Sequence, residues 1–179
     1  MFLMSSEEHK LKAPKKIRFA LVTCSSSRFE SLKQGKPFKD ESGDLAEQMV
    51  KSAGFSISYR TLVSDDPTTI RRIVEELCSK PDVDVIVLSG GTGLTPKDLT
   101  VDVVKPMFEK EIPGFGEIFR ILTFQEEGSI ALLSRATAGV CKGKAVFILP
   151  GSSKAVKLAF ERLIIPEAAH IVLHIRGLG

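Results

Sequence analysis

Glycines, hydroxyl residues and an acid follow one strongly apolar segment, and these residue types at this spacing are suited to binding a charged ligand. Residues 83–100 read VDVIVLSGGTGLTPKDLT, and the apolar run at 85–88 predicts a strand that is buried on both faces. The turn after this strand consists of Gly90, Gly91, Thr92 and Gly93. Glycine adopts positive φ and lets a ligand come close to backbone N–H groups, so the segment predicts an anion-binding turn. The alternative is a tight turn whose glycines serve geometry alone.

The general phosphate-binding motifs do not fit this turn. A P-loop needs a lysine at a fixed offset from its first glycine, and neither Gly90 nor Gly91 has one there. Pro96 stands where a dinucleotide fingerprint needs its third glycine. Asp98 adds a carboxylate beside the predicted phosphate-binding amides, which is electrostatically favourable only if a cation lies between the two charges. The turn therefore favours a nucleotide bound with Mg²⁺.

Two further predicted strands also end in polar turns. The strand at 17–23 is followed by CSSSR. Residues 25–28 could hold a phosphate through the hydroxyls of Ser25 and Ser26, backbone N–H groups and the Arg28 guanidinium, or could be a helix cap followed by a loop. The strand at 144–149 is followed by a turn from which another helix is predicted to begin. That turn contains Pro150, Gly151 and Ser152.

A pair of acids follows the strand predicted at 55–63. Asp66 is a good N-cap residue before Pro67 at the first helical position. Capping explains Asp66 but leaves Asp65 as a second acid at a strand end, either a solvated turn residue or a functional one.

Apolar periodicity places helices between the strands. Helices are predicted at 44–53, from Pro67 to about residue 80, at 101–108, after a loop at 113–117, at 154–163 and from Pro166, with residues 29–40 irregular. Strands that alternate with helices predict an α/β domain. We expect a three-layer α/β/α sandwich with a mostly parallel central sheet that includes residues 84–89 and 144–149. The polar turns should all open on one edge of that sheet.

Length and composition fit a single domain at 15–179 that follows a flexible basic tail at 1–14. The chain has 179 residues, 43% of them hydrophobic and 26% charged, and a net charge of +3 to which the tail contributes. The tail lacks interleaved aromatic residues, so a solvated segment is favoured over a nucleic-acid-binding arm. No apolar run approaches the roughly 20 residues of a membrane span. Three widely spaced cysteines predict reduced thiols and a cytoplasmic protein.

Four loop segments together resemble a known family. They are SGGTGLTPKDLT at 89–100, PGFGE at 113–117, LSRATAG at 133–139 and LPGSSKA at 149–155. In this order and at these spacings they resemble the molybdopterin adenylyltransferase family, MoaB/MogA, which is also similar to the G domain of gephyrin. The resemblance runs from residue 17 to residue 175, and the MoaB branch is nearer than the MogA branch.

The resemblance implies an adenylyl transfer. Family members bind molybdopterin and Mg-ATP, join AMP to the terminal phosphate of the pterin and release pyrophosphate. The two important acids of the family fall on Asp65 and Asp98, which would be the catalytic residues and the Mg²⁺ ligands. The Asp-x-Ser-Gly pattern of the family falls on Asp40, Ser42 and Gly43.

Other positions are assigned by the same resemblance. Ser134, Arg135 and the turn at 150–152 would hold pterin or phosphate. Lys97 stands where many members have arginine, which keeps the charge but loses a bidentate fork. The resemblance also implies a trimer, or a hexamer built from two trimers, and delivery of the adenylylated pterin to a downstream metal-insertion protein.

Two other functions stay open. The chain could be a non-catalytic molybdopterin-binding or scaffold protein of the same fold, or a kinase or phosphatase that acts on another substrate. The missing P-loop lysine weakens the kinase hypothesis. The choice between molybdenum and tungsten as the downstream metal also stays open.

Overall fold

The computed structural model of the protein describes Pro14 and residues 16–177. Apart from Pro14, the tail predicted at 1–14 therefore lies outside the described residues. Within the described part, no helix is long and apolar enough to cross a membrane.

A six-stranded sheet in the order β2-β1-β3-β6-β5-β4 forms the middle of the domain. The strands are β1 (Arg18–Cys24), β2 (Ser56–Val63), β3 (Val85–Ser89), β4 (Lys110–Glu111), β5 (Thr137–Cys141) and β6 (Lys144–Leu149). The pairs β1–β2, β1–β3 and β3–β6 are parallel, whereas β5 pairs with β6 and with β4 in the antiparallel direction. The predicted mostly parallel sheet is confirmed, and β3 lies inside it with all five residues buried.

Helices cover both faces of this sheet. They are α1 (Ser26–Lys33), α2 (Glu41–Ser52), α3 (Pro67–Ser79), α4 (Thr100–Val104), α5 (Pro113–Glu127), α6 (Ser153–Ala159) and α7 (Ile165–Ile175). Side chains of β3 alternate between two apolar clusters: Val87 packs in one cluster with Phe119 of α5, and Ile86 packs in the other with Val74 of α3. Two clusters on opposite faces of one sheet confirm the three-layer α/β/α sandwich.

Several predicted element boundaries were wrong. The segment predicted to be irregular at 29–40 begins inside α1, which runs from Ser26 to Lys33. The segment predicted as one helix at 101–108 is α4 followed by a 3₁₀ turn at Lys105–Met107. The predicted loop at 113–117 is the first turn of α5, because proline suits the first helical position. Strands β4 and β5 were not predicted.

The C-terminal helices join through a widened turn. Helix α6 runs through a π-helical turn at Phe160–Ile164 into α7, so Pro166 lies in the first turn of α7 but within one continuous helical segment. Proline has no N–H to donate and collides with the carbonyl four residues earlier in an α-helix interior, and here it directly follows the wider π turn.

Candidate functional site

Turns from three parallel strands meet at one edge of the sheet. The carboxyl ends of β1, β3 and β6 lie side by side because these strands pair in parallel. The Gly90 N–H donates a hydrogen bond to the Leu149 carbonyl oxygen at 2.9 Å. A side chain on Gly151 would come within 3.2 Å of Gly90 Cα. The glycine turn and the turn at 150–152 therefore touch, as predicted for loops that open on one edge.

A cavity of about 530 Å³ opens between these turns. Its lining includes residues of the polar turns and their neighbours: Ser25, Ser27, Arg28, Gly90, Gly91, Thr92, Gly93, Asp98, Ser134, Pro150, Gly151, Ser152 and Lys154. A second, mainly apolar group of lining residues consists of Phe119, Thr123, Glu127, Ile130, Leu133 and Leu158. This size and mixed lining are typical of small-molecule binding sites.

Two glycines of the turn have conformations that a larger residue would not tolerate. Gly90 has φ of 108° and Gly91 has φ of 63°. A Cβ on Gly90 would collide with the carbonyl oxygen of Cys24, which is backbone and cannot turn away. Glycine is therefore required here both by the left-handed φ and by the close approach of β1.

We expect Gly90→Ala to lower the free energy of unfolding by about 2–3 kcal/mol, since it combines a strained φ with a backbone collision. The measurement is urea denaturation. Gly114→Ala is the matched control, because Gly114 has no positive φ and no atom within 4 Å of its Cβ position. Equal losses in the two variants would contradict this account of Gly90.

Asp65 uses one carboxylate oxygen to bind Ser26 and leaves the other without a partner. Its Oδ2 accepts hydrogen bonds from the Ser26 N–H at 2.8 Å and from the Ser26 hydroxyl at 2.9 Å, and the Asp65 N–H donates to Ser26 Oγ at 3.0 Å. Its Oδ1 is buried and has no hydrogen-bond partner among the described residues. It lies 3.1 Å from the Cβ position of Gly91. A buried carboxylate oxygen needs a donor or a cation, so Asp65 fits a metal ligand.

Asp98 holds a second carboxylate beside the same turn. Its Oδ2 accepts hydrogen bonds from the Thr95 hydroxyl at 2.6 Å and from the Thr95 N–H at 3.0 Å, and its carboxylate lies next to Gly93. The hydrogen bond from the Thr95 hydroxyl is the largest cause that lowers the pKa of Asp98, and backbone N–H groups and Arg135 add to it. The carboxyl group is therefore ionised at neutral pH.

The positions of the two acids suit the binding of one Mg²⁺ ion by both carboxylates. Asp65 lies beside Gly91 and Asp98 beside Gly93, and two residues span at most about 7 Å of chain. Over the residues that the structure describes, no group of three or more His, Cys, Asp or Glu side chains could hold a metal ion. Mg²⁺ is usually bound by one or two carboxylates together with water and substrate phosphates. The donor set therefore suits a cation that arrives with a phosphate ligand.

Arg135 binds the glycine turn itself. Its Nε donates to the Thr92 carbonyl oxygen at 3.3 Å and its Nη2 to the Asp98 carbonyl oxygen at 2.7 Å. Its Nη1 donates to both carboxylate oxygens of Asp102 at 2.9 Å. The guanidinium thus supports residues 92–102, and its contact with pterin or phosphate stays a prediction. The neighbouring Ser134 does line the cavity.

The predicted Asp-x-Ser-Gly residues lie at the start of α2 and not in the lining of this cavity. Asp40 caps the helix, with the Gly43 N–H donating to its Oδ1 at 3.2 Å. Its Oδ2 accepts hydrogen bonds from the Thr23 hydroxyl at 2.9 Å and from Arg60 Nη2 at 3.1 Å. Ser42 is buried beside it. These contacts explain the motif as a helix cap, and its role in ligand binding stays a prediction.

The CSSSR turn caps α1 and also reaches the cavity, and its role in holding a phosphate stays a prediction. Ser25 lines the cavity and also caps α1, with the Arg28 N–H donating to its Oγ at 3.5 Å. Ser26 does not line the cavity and instead holds Asp65 in place. Burial is the main cause that raises the pKa of the Cys24 thiol to about 12, so this thiol is protonated and is a poor nucleophile.

Lys154 is a cavity residue that the sequence interpretation missed. It lies in the first turn of α6, just after the N-cap Ser152. The positive end of the helix dipole disfavours a cation there, so the lysine is an electrostatic mismatch unless an anion is bound nearby. That mismatch was readable in the sequence. The apolar lining of the cavity could not be predicted from the sequence, because its residues come from α5, α6 and the turn at Gly128–Leu133.

Comparison with known proteins confirms the family resemblance and the fold. The model of the probable molybdopterin binding domain matches residues 20–170. A molybdenum cofactor biosynthesis protein B from Bacillus subtilis is 44% identical over 174 residues, which cover 97% of this chain and 98% of that protein. A probable molybdopterin adenylyltransferase from Methanocaldococcus jannaschii is 41% identical over 165 residues, which cover 92% of this chain and 98% of that protein. The crystal structure of a molybdenum cofactor biosynthesis protein B superposes with a TM-score of 0.84 at 41% identity, covering 93% of this chain and 99% of that one.

Proposed function

The chain belongs to the MoaB/MogA family of molybdopterin-binding proteins of molybdenum cofactor biosynthesis, and we propose that it transfers the adenylyl group of Mg-ATP to molybdopterin. The products are adenylyl-molybdopterin and pyrophosphate. A relative that is 41% identical carries the name probable molybdopterin adenylyltransferase, which supports this finer assignment. The product would pass to a downstream metal-insertion protein.

The observation that carries the proposal is the pair of acids beside the glycine turn. Asp65 offers a buried carboxylate oxygen without a hydrogen-bond partner, and hydrogen bonds keep Asp98 ionised. Two negative charges beside phosphate-binding amides need a cation between them and the phosphates. When bound, Mg²⁺ supplies charge neutralisation to the phosphate oxygens.

The reaction needs alignment more than covalent help. An oxygen of the terminal pterin phosphate attacks the α-phosphorus of ATP, a new O–P bond forms, and the bond from that phosphorus to the bridging oxygen of the β-phosphate breaks, so that pyrophosphate leaves. The N–H groups of the glycine turn and of the turn at 150–152 would hold the phosphates in line. Arg28 and Lys154, which also line the cavity, would add positive charge.

The apolar side of the cavity suits a flat ring system. Phe119, Leu133 and Leu158 form an apolar wall of the cavity. Such a wall can bury a pterin or an adenine ring while the attached phosphates reach the glycine turn.

Pyrophosphate release tests the proposal. The protein is incubated with Mg-ATP in the presence and in the absence of molybdopterin, and pyrophosphate is measured. We expect release that depends on molybdopterin. Binding of molybdopterin without any release would contradict the enzyme and support a non-catalytic molybdopterin-binding or scaffold protein.

We also propose that the chain self-associates as a trimer or a hexamer through an apolar face of α5 and the following turn. The exposed large apolar side chains here that do not line the cavity are Ile118, Ile121, Phe124 and Leu132. Ile118, Ile121 and Phe124 are three residues apart and therefore share one face of α5, and an exposed apolar face of this kind marks an interaction site.

We expect Ile121→Glu to shift the assembly towards monomers, because it would bury an unpaired charge in the interface. Light scattering at micromolar concentration measures the mass. Leu32→Glu on α1 is the control: Leu32 is similarly exposed but lies outside this face, so the mass should not change. A monomeric wild-type chain under these conditions would contradict the proposed assembly.

A further inference from the structure

Arg135 binds the exposed loop of the glycine turn at both of its ends. Residues 94–97 are exposed and belong to no helix or strand. Thr92 precedes this loop and Asp98 follows it, and the Arg135 guanidinium donates to both backbone carbonyl oxygens, from Nε at 3.3 Å and from Nη2 at 2.7 Å. A guanidinium is a planar fork whose donors have fixed positions. The two ends of the loop are therefore held at one separation.

Asp102 in α4 holds the guanidinium in this position. Arg135 Nη1 donates to Asp102 Oδ1 and Oδ2, both at 2.9 Å. The ion pair with Asp102 neutralises the charge of Arg135, and the hydrogen bond from Arg135 to Asp98 goes to the backbone carbonyl oxygen. The Asp98 carboxylate is instead bound by Thr95.

Both members of this ion pair lie outside the cavity. Thr92, Gly93 and Asp98 line the cavity, whereas neither Arg135 nor Asp102 is among the described residues that do so. Each nitrogen of the guanidinium already donates to an oxygen of the protein. This geometry favours support of the turn from behind over a direct contact of Arg135 with pterin or phosphate.

We propose that Asp102 is a positioning residue for adenylyl transfer, which acts through Arg135 to keep the glycine turn and Asp98 aligned with the bound phosphates. The inference rests on the proposed function, because it takes this turn as the phosphate-binding element. A loop that is already held in one conformation does not have to be ordered when the substrate binds. A misplacement of about 1 Å can cost about 100-fold in rate, so a loosened loop should lower kcat.

Steady-state kinetics of Asp102→Ala test this role. The variant removes both acceptors of Arg135 Nη1, so kcat should fall about 10-fold. The KM of molybdopterin should stay nearly the same, because Asp102 does not line the cavity. Asp102→Asn keeps one acceptor oxygen and should recover part of the loss. Glu111→Ala is the matched control: Glu111 pairs with Lys105 and is 48% exposed, against 55% for Asp102, so kcat should not change.

A double-mutant cycle shows whether Asp102 acts through Arg135. Arg135→Ala should lower kcat more than Asp102→Ala, since it releases both ends of the loop, and the double variant should be no slower than Arg135→Ala alone. Arg135→Lys keeps the charge but loses the fork, so it should lose nearly as much as Arg135→Ala. An additive loss in the double variant, or nearly full activity of Arg135→Lys, would overturn the assignment.

Thermal unfolding separates this role from a loss of folded protein. Asp102 is exposed, so Asp102→Ala should have nearly the Tm of the wild type, and the rates are compared well below that temperature. A loss of kcat explained by a lower folded fraction would overturn the role of Asp102. Unchanged kcat in Asp102→Ala beside an active wild type would do the same and leave the proposed function standing. If the wild type itself transfers no adenylyl group, the proposed function fails and this role fails with it.

Discussion

Asp65→Asn is expected to lower the rate of adenylyl transfer by about 10²- to 10³-fold, because a charge that stabilises the transition state is commonly the largest catalytic contribution. The fold should survive. Asparagine can still accept the hydrogen bonds that Ser26 donates to Oδ2, and the substitution changes only the charge and one buried oxygen. Steady-state kinetics should show the loss in kcat, with pterin binding largely retained because the apolar wall and Ser134 are unchanged.

Asp98→Asn should cause a loss of similar size, since Asp98 lies beside the same turn. Asp66→Asn is the matched control, one residue from Asp65. Asp66 caps α3 by accepting the Thr69 N–H at 2.7 Å, and asparagine caps a helix about as well as aspartate. Asp66→Asn should therefore keep nearly the full rate. An equal loss in Asp66→Asn, or full activity in both Asp65→Asn and Asp98→Asn, would show that the acids do not act through a metal.

Asp84 joins three segments at the amino ends of the parallel strands, away from the candidate site. The carboxylate is buried at the start of β3. Its Oδ2 accepts hydrogen bonds from Arg18 N at 2.9 Å and Nε at 3.0 Å, and its Oδ1 accepts from Arg18 Nη2 at 3.1 Å and Arg176 Nη2 at 2.7 Å. One acid thus joins β1, β3 and the end of α7.

Asp84→Ala is expected to lower the free energy of unfolding by about 3 kcal/mol, at the low end for a broken buried ion pair. The low end applies because the Arg18 and Arg176 side chains are 37% and 39% exposed and can be hydrated again. Urea denaturation measures the change. Asp44→Ala is the control: Asp44 pairs with Arg60 but is 67% exposed, so it should cost under about 1 kcal/mol. Equal losses would contradict the role given to Asp84.

Acid pH should remove the contribution of Asp84. Burial raises the pKa of this carboxyl. Hydrogen bonds from Arg18 and the charges of Arg18 and Arg176 together lower the pKa by more than burial raises it, so the net pKa lies below its ordinary value. A depressed pKa gives stability that is present above the unfolded pKa of about 3.9 and is lost as pH falls through the folded pKa. The difference in stability between the wild type and Asp84→Ala should therefore shrink below about pH 4, and a difference that grows would contradict this sign.

The parallel part of the sheet could be predicted because its sequence pattern is local. The apolar run of β3 is fully buried in the structure, and Asp66 with Pro67 begins α3 as predicted. The hairpin of β5 and β6 was harder to predict. Its turn at Lys142 and Gly143 has positive φ at both residues, but lysine is an uncommon residue in that conformation.

Helix α1 was missed because it carries no apolar stripe. None of its described residues is buried, so periodicity gave no signal, and the cap formed by Ser25 was the only local indication.

The chemistry of the site could be predicted only in part. The glycine turn and the two acids follow from residue types at strand ends, and the structure brings Asp65 and Asp98 to one turn. The support of this turn by Arg135 depends on contacts between residues 33 to 43 positions apart in the chain. The position of Thr100 and Asp65 beside Gly91 likewise depends on tertiary packing, which no local pattern encodes.

Transfer of labelled phosphate tests adenylyl transfer most directly. The protein is incubated with molybdopterin and Mg-ATP that carries ³²P at either the α or the γ position, and the pterin product is isolated. Adenylyl transfer predicts that α-label appears in the pterin product and that γ-label appears only in pyrophosphate. Label from the γ position in the pterin product would show a kinase, and label from neither position would contradict catalysis on this substrate.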